Sequence, residues 1–106
     1  MAKIFAVARS NGLPITVPAV IVAQWWRGQR GPIWKNLAEA VDVEPLSSTL
    51  ARIAGQALAL TNSSDIVDAV VVASAAQRGD IVYTSDIEDL SWIAERAFPS
   101  VRILRI

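Results

Sequence analysis

The sequence predicts an α/β domain in which a central, mostly parallel sheet of about four strands is flanked by helices in three layers. Short segments rich in β-branched residues alternate with longer segments whose apolar residues recur every three or four positions, the helical period. Parallel neighbours in a sheet need a crossover connection, and the intervening helices supply it. The 106 residues, of which 53% are hydrophobic, suffice for one core, so we expect a single domain over residues 1–106.

The first half of the chain contains two predicted strands. The segment "LPITVP" (13–18) favours a strand because its β-branched residues stand between two prolines. The segment "VDVEPL" (41–46) favours an edge strand because its proline cannot donate to a sheet ladder. Two helices are predicted around the first strand: one covers 2–10 and ends at Asn11-Gly12, and the other covers 19–28 and ends at Gly28. A third begins near Pro32, and a fourth covers 49–60 and is capped by Ser47 or Ser48.

The second half of the chain alternates helices and strands more regularly. A helix begins around Asp65 and ends at Gly79, and the strand "DIVYTS" (80–85) follows it. The next predicted helix stops before Pro99 and has Leu90, Ile93, Ala94 and Ala97 on one face. The final segment "VRILRI" alternates apolar and basic residues, which is typical of a half-exposed edge strand.

The composition excludes several classes of function. Ten basic and ten acidic residues balance, so any contact with nucleic acid must come from a local patch. The absence of cysteine and histidine excludes disulfides, thiol catalysis, histidine bases and Cys/His zinc sites, which leaves carboxylates, hydroxyls or an oxygen-bound metal. The longest uncharged apolar run, residues 11–26, contains two prolines, and the amino end lacks a signal-peptide pattern. We therefore expect a cytoplasmic protein without membrane contact.

Four aspartates are predicted to meet at one edge of the sheet. Asp86 and Asp89 directly follow a strand, where binding sites form in open parallel sheets. Asp65 and Asp68 begin the helix that leads back into this strand, so they lie at the same end. Two interpretations stay open. Clustered carboxylates bind a hard cation such as Mg²⁺ or Mn²⁺. Alternatively, each acid, like the solvent-facing Glu88, simply complements a helix dipole.

A family resemblance rests on this part of the chain. The segment "SDIVDAVVVASAAQRGDIVYTSDIEDLSWIA", with "ITVPAVIVAQWWRG" before it, resembles the PIN domains of VapC-type toxins. The resemblance extends from about residue 5 to the end, and its best motifs are "DIVDA" and "TSDIEDL". It implies a PIN-like fold and a Mg²⁺- or Mn²⁺-dependent ribonuclease that cleaves RNA phosphodiesters with a metal-activated water. It also implies the toxin of a type II toxin–antitoxin pair, with a cognate small antitoxin and a homodimer as partners.

The resemblance also implies the residues of the site. Asp68 and Asp86 correspond to catalytic metal ligands, and Asp89 to a further acid beside the metal. Thr84 and Ser85 are expected to be supporting hydroxyl neighbours.

The metal site departs from the family in two ways. Gln24 stands where the family commonly has Glu, and it is a weaker ligand because an amide oxygen coordinates without charge. Asp65 is also expected to be only a weak, supporting ligand. The family's first strand, which ends in a metal-binding aspartate, has no counterpart, and "AKIFAVA" (2–8) offers no acid. We therefore expect an N-terminally shortened PIN-like domain. The alternative function is a truncated or inactive module that dimerises and binds an antitoxin without cleaving RNA.

The missing strand also affects the predicted sheet. The family places it between the strands at 14–18 and 81–84, and its loss exposes backbone groups that need partners. Three arrangements are open: the two strands pair directly, a second chain fills the gap, or the polypeptide is a shortened form of a longer product. We expect a homodimer that shares strands or covers the open edges.

Aromatic and basic residues raise further expectations. The tryptophans are Trp25, Trp26, Trp34 and Trp92. Core packing is the favoured interpretation of these rings, but neighbouring Trp25 and Trp26 cannot face the same side of a helix, so one of them is expected to contact a partner. Arg27 and Arg30 follow and are candidate contacts for RNA phosphates, or else solvated helix ends.

Overall fold

Helices and short strands alternate along the chain in the computed structural model, which describes residues 16–26, 41–84 and 87–105. The elements are β1 (Thr16–Pro18), α1 (Ala19–Trp26), β2 (Asp42–Glu44), α2 (Ser48–Thr61), α3 (Ile66–Arg78), β3 (Ile81–Thr84), α4 (Ile87–Ala97) and β4 (Arg102–Arg105). This order confirms the predicted α/β class. The helices predicted over 2–10 and from Pro32 lie outside the described residues.

The four strands form two parallel pairs. Thr16 of β1 lies opposite Asp42 of β2, and Ile81 of β3 lies opposite Arg102 of β4. The parallel direction is as predicted, but the prediction of one four-stranded sheet is wrong for the described residues, which form two separate two-stranded sheets. The reason is that β1 and β3 share no register there, so no backbone hydrogen bonds join the pairs. Direct pairing of these two strands is therefore not the arrangement found.

Helix α3 lies at the centre of the core. Every residue from Asp68 to Ala75 is buried, so the helix has almost no solvent-facing side in this stretch. It packs most extensively against α2, and it also contacts α4, β1 and β3. Alanines and one serine along the helix keep its surface narrow, which lets these neighbours approach closely from several directions. The two strand pairs thus share one supporting helix and one hydrophobic core, to which Val17 and Val82 both belong.

The helix ends follow the predicted capping signals. Ser47, one of the two predicted caps, begins α2, and its hydroxyl accepts a hydrogen bond from the Leu50 N–H at 3.0 Å. Asn62 ends α2 in the left-handed conformation with φ 53°. Gly79 ends α3 with φ 72°, a backbone conformation that glycine adopts without steric cost. Asn62 thus begins the short loop between α2 and α3, and Gly79 begins the turn that leads into β3.

A partly buried polar network joins β2 to the end of α3. The buried Ser74 hydroxyl donates to Glu44 Oε1, and Arg78 Nη1 lies 2.8 Å from Glu44 Oε2. Arg78 Nε also donates to Asp80 Oδ2 at 2.7 Å. Burial lowers the pKa of Arg78, but the hydrogen bonds to Asp80 and Glu44 outweigh it and hold the pKa above its ordinary value. The network fixes the first strand pair to the central helix by polar contacts.

Hydropathy along the helices was compared with the needs of a membrane span. Within the described segments, no single helix is both long enough and apolar enough to cross a bilayer. Helices α2 and α3 meet that requirement only as a pair, and the chain bends by 115° between them.

Removing the carboxylate of Glu44 tests the polar network. We expect Glu44→Ala to lower the free energy of unfolding by about 1–3 kcal/mol, because the buried Ser74 hydroxyl loses its acceptor. In a Ser74→Ala background the same change should cost only about 0–1 kcal/mol, the value of a partly exposed ion pair. Urea denaturation measures both, with exposed Asp42→Ala as the control. Equal costs in the two backgrounds would show that the hydroxyl does not depend on Glu44.

Candidate functional site

Asp65 lies in the turn that starts helix α3. Its extended backbone (φ −83°, ψ 97°) places the side chain over the first helical turn, where Oδ1 accepts a hydrogen bond from the Asp68 N–H at 3.1 Å. The Asp65 carbonyl accepts from Ala69 N–H at 3.1 Å. Asp65 is therefore the N-cap of the helix, one of the best residues for satisfying the unpaired N–H groups there. Of the two interpretations of this acid, helix capping is the one the described contacts support.

Asp68 is the least exposed acid in the described part of the chain, with 1% of its surface accessible. It occupies the third position of α3, between half-buried Val67 and fully buried Ala69. This confirms the prediction that Asp68 lies among apolar residues. A carboxylate is rarely buried without compensation, since transfer of a charge from water is costly. The positive end of the helix dipole supplies part of that compensation.

The first turn of helix α4 supplies the next acids. Leu90, Ile93 and Ala94 are the buried face of this helix, as the sequence predicted. This orientation leaves Asp89 exposed beside the buried stripe. Glu88 is also exposed, which confirms its predicted solvent-facing position.

A polar cleft of about 270 Å³ opens between the start of α3 and helix α4. Its lining consists of Asn62, Ser63, Ser64, Asp65, Asp68, Asp89, Trp92 and Ile93. Three acids that the sequence places on two helices therefore face one space. Two contributions to the lining were not predicted: the loop of Asn62, Ser63 and Ser64, and the side chain of Trp92.

The donor atoms of this cleft suit a hard cation. Carboxylate, amide and hydroxyl oxygens are the ligands that Mg²⁺ and Mn²⁺ prefer, and Mg²⁺ usually binds through one or two carboxylates while keeping several waters. Among the described residues, no three acidic side chains converge closely enough to hold a metal ion. The donor chemistry of the cleft therefore fits an ion that keeps several waters, and not a cage of three described carboxylates.

The remaining predicted site residues lie apart from this cleft or outside the description. Thr84 is completely buried at the end of β3 and is not part of the cleft lining. Gln24 on α1 does not line it either, although its Oε1 is a buried atom with no hydrogen-bond partner in the described part of the chain. Ser85, Asp86, Arg27 and Arg30 lie outside the described residues.

Trp92 forms one wall of the cleft. Its Nε1 donates to the Thr61 carbonyl at 3.1 Å, and the Arg96 guanidinium lies 3.3 Å from the ring centroid. The side chain is 49% exposed, so core packing is wrong for Trp92; Trp26 is 40% exposed, which agrees with the prediction that one of the two neighbouring tryptophans lies outside the core. The reason for Trp92 is its place on α4, just outside the buried stripe. Its spacing of three from Asp89 is the signal that places both side chains on one helix face.

Comparison of the sequence with protein-family models and with curated proteins finds no match for this chain.

Substitution of Asp65 tests its capping role. We expect Asp65→Ala to lower the free energy of unfolding by about 0.5–2 kcal/mol, because the Asp68 N–H loses its acceptor. Asp65→Asn keeps an oxygen in the same place and should stay within a few tenths of a kcal/mol of the parent. Urea denaturation compares the two variants. An equal loss in both would mean that the charge of Asp65, and not its capping hydrogen bond, stabilises the protein.

Proposed function

We propose that this chain is a PIN-like, metal-dependent endoribonuclease of the VapC toxin kind, acting in the cytoplasm. One observation carries the proposal. Asp68, which is buried, and Asp89, which is exposed, lie on two different helices and line the same polar cleft. A buried carboxylate that lines a cleft is an uncommon and costly feature, and such groups concentrate at functional sites. The oxygen-only lining agrees with a protein that has neither cysteine nor histidine.

Asp68 and Asp89 would hold the Mg²⁺ or Mn²⁺ ion, joined by Asp86 from the "TSDIEDL" motif. When bound, the ion supplies an activated water and neutralises the charge that develops on the phosphodiester. The burial of Asp68 restricts its side chain, so its oxygens meet the ion in one orientation. Asp89 lies at the exposed side of the cleft, where RNA approaches. The amide and hydroxyls of Asn62, Ser63 and Ser64 offer donors for phosphate and ribose oxygens.

The PIN-like fold is part of the same proposal. Four parallel-paired strands with helix α3 against both pairs agree with a three-layer PIN-like domain in which β1 and β3 are not neighbours. Within the described segments β1 and β3 do not pair with each other, and a strand edge open to a further strand favours association with another chain, which supports a homodimer.

A second candidate function is an inactive PIN-like module that binds a small antitoxin and does not cleave RNA. The observation that favours it is the lack of three converging acids among the described residues. Gln24 adds to it, because its amide replaces a charged ligand and does not line the cleft. The two candidates differ in one property: only the nuclease needs a metal in the cleft.

Titration with Mn²⁺ separates the two functions. We expect calorimetry to show binding by the parent protein, and Asp68→Asn and Asp89→Asn each to weaken it by at least about tenfold, the loss typical of disturbed metal sites. The same substitutions should abolish Mn²⁺-dependent cleavage of single-stranded RNA, because the ion loses a charged ligand.

The matched control is Glu88→Gln. It removes a carboxylate from the same helical turn, but Glu88 does not line the cleft, so binding and cleavage should be unchanged. Absence of Mn²⁺-dependent heat in the parent protein, or heat that Asp68→Asn leaves unchanged, would exclude the nuclease and favour the binding module.

A further inference from the structure

Trp92 has an arrangement that the proposed metal site does not require. The ring is half exposed, yet it is held at two points: its Nε1 donates to the Thr61 carbonyl, and the Arg96 guanidinium covers one ring face. Arg96 is itself held, since its Nη1 donates to the Trp92 carbonyl at 3.2 Å. An exposed indole fixed in this way presents a flat apolar surface at little entropic cost on binding.

The Trp92 ring lines the same cleft as the acids. Trp92 lies three residues after Asp89 on the same helix and lines the same cleft as Asp68. The cleft is slightly smaller than the roughly 300–1,000 Å³ of sites that enclose drug-sized ligands, so it suits one small planar group. The same cleft is also lined by Asn62, Ser63 and Ser64, which carry amide and hydroxyl groups.

We propose that Trp92 is a base-stacking subsite: a nucleobase of single-stranded RNA stacks on the indole face that Arg96 leaves uncovered. This inference rests on the proposed ribonuclease function and deepens it by assigning a substrate contact. Single-stranded nucleic acids are bound by aromatic rings combined with cationic groups that meet the phosphates. Trp92 and Arg96 supply this combination. The Arg96 side chain is 41% exposed, and its described acidic neighbour, Glu95, lies at 4.0 Å on the exposed surface, so a neighbouring phosphate can compete for the guanidinium.

Stacking on Trp92 would allow a protein with no net charge to bind RNA, which is negatively charged. The balance of ten basic and ten acidic residues gives no bulk attraction for RNA, and the acids of the cleft repel phosphate when no metal is bound. Base stacking depends on the π face of the base and not on phosphate charge, so it tolerates this environment. The subsite is expected to accept different bases, because every base has a π face.

The alternative role of Trp92 is structural, a pin between α4 and the end of α2 through the Thr61 carbonyl. Two substitutions distinguish the roles. Trp92→Phe keeps an aromatic face and removes the N–H donor, whereas Trp92→Leu keeps apolar bulk and removes the aromatic face. If Trp92 only joins α4 to the end of α2, both substitutions should lower stability and leave RNA affinity unchanged. A stacking subsite predicts that only the leucine variant loses affinity.

The experiment measures binding of a fluorescein-labelled, mixed-sequence, single-stranded oligoribonucleotide by fluorescence anisotropy in buffer with EDTA. Without a divalent ion no metal-dependent cleavage occurs, so the result does not depend on the nuclease proposal. We expect Trp92→Leu and Trp92→Ala to raise the Kd on the order of 10- to 100-fold, and Trp92→Phe to raise it less than about threefold. Trp26→Ala is the matched control, since it removes another exposed tryptophan outside the cleft.

Abasic oligonucleotides complete the test. An abasic residue placed at successive positions should weaken binding at one position, and Trp92→Leu should add no further loss with that oligonucleotide, because both changes remove the same contact. With Mn²⁺ present, Trp92→Leu should raise KM by the same factor and leave kcat within about twofold. Thermal melting of each variant verifies folding, and Trp92→Phe reports on stacking even where the alanine variant does not fold.

Three results would overturn the subsite: a Kd for Trp92→Leu equal to that of the parent, an equal loss in Trp26→Ala, or a loss in Trp92→Phe as large as in Trp92→Leu. Failure of the nuclease proposal has a different signature. In that case Mn²⁺ produces no cleavage by any variant, while the anisotropy measurement still reports whether RNA stacks on Trp92.

Discussion

The burial of helix α3 on nearly all sides is the constraint on which the rest of the structure depends. Its residues from Asp68 to Ala75 are enclosed by α2, α4 and strands of both pairs, so each of these elements is positioned by contact with one helix. Alanines keep the helix narrow enough for this packing. In the part of the chain that the structure describes, the strands are three or four residues long and form separate pairs, and both pairs contact this helix within one core.

The same constraint creates the cleft. Helix α3 begins at the surface, where Ile66 is 60% exposed, and is buried from Asp68 onward, so the unpaired N–H groups of its first turn need acceptors at the edge of the core. Asp65 supplies one acceptor, and the short loop that follows Asn62 leaves space above the turn. Asp68 is carried into this interior by its place in the helix, and its negative charge is stabilised by the helix dipole. A cation in the adjacent cleft would stabilise it further, which links the packing of the core to the proposed chemistry.

Local signals in the sequence were sufficient for much of the fold. Ser47 and Gly79 were predicted because capping depends on neighbouring backbone groups, and the face of α4 followed from the spacing of Leu90, Ile93 and Ala94. The division of the strands was not predictable, since pairing between distant segments leaves no local signal. Trp92 was misassigned to the core because aromatic residues are usually buried, although its spacing from Asp89 already placed it on the edge of the buried face. The grouping of Asp65, Asp68 and Asp89 followed correctly from the chain order.

The central claim is that Asp68 binds a divalent ion in the cleft between α3 and α4. Anomalous diffraction from crystals soaked in Mn²⁺ tests it most directly, because manganese is located independently of any activity. We expect an anomalous peak in the cleft, at about 2.0–2.6 Å from an Asp68 carboxylate oxygen, and loss of that peak in crystals of Asp68→Asn. A cleft without a peak at saturating Mn²⁺, or a peak that persists unchanged in the variant, would contradict it.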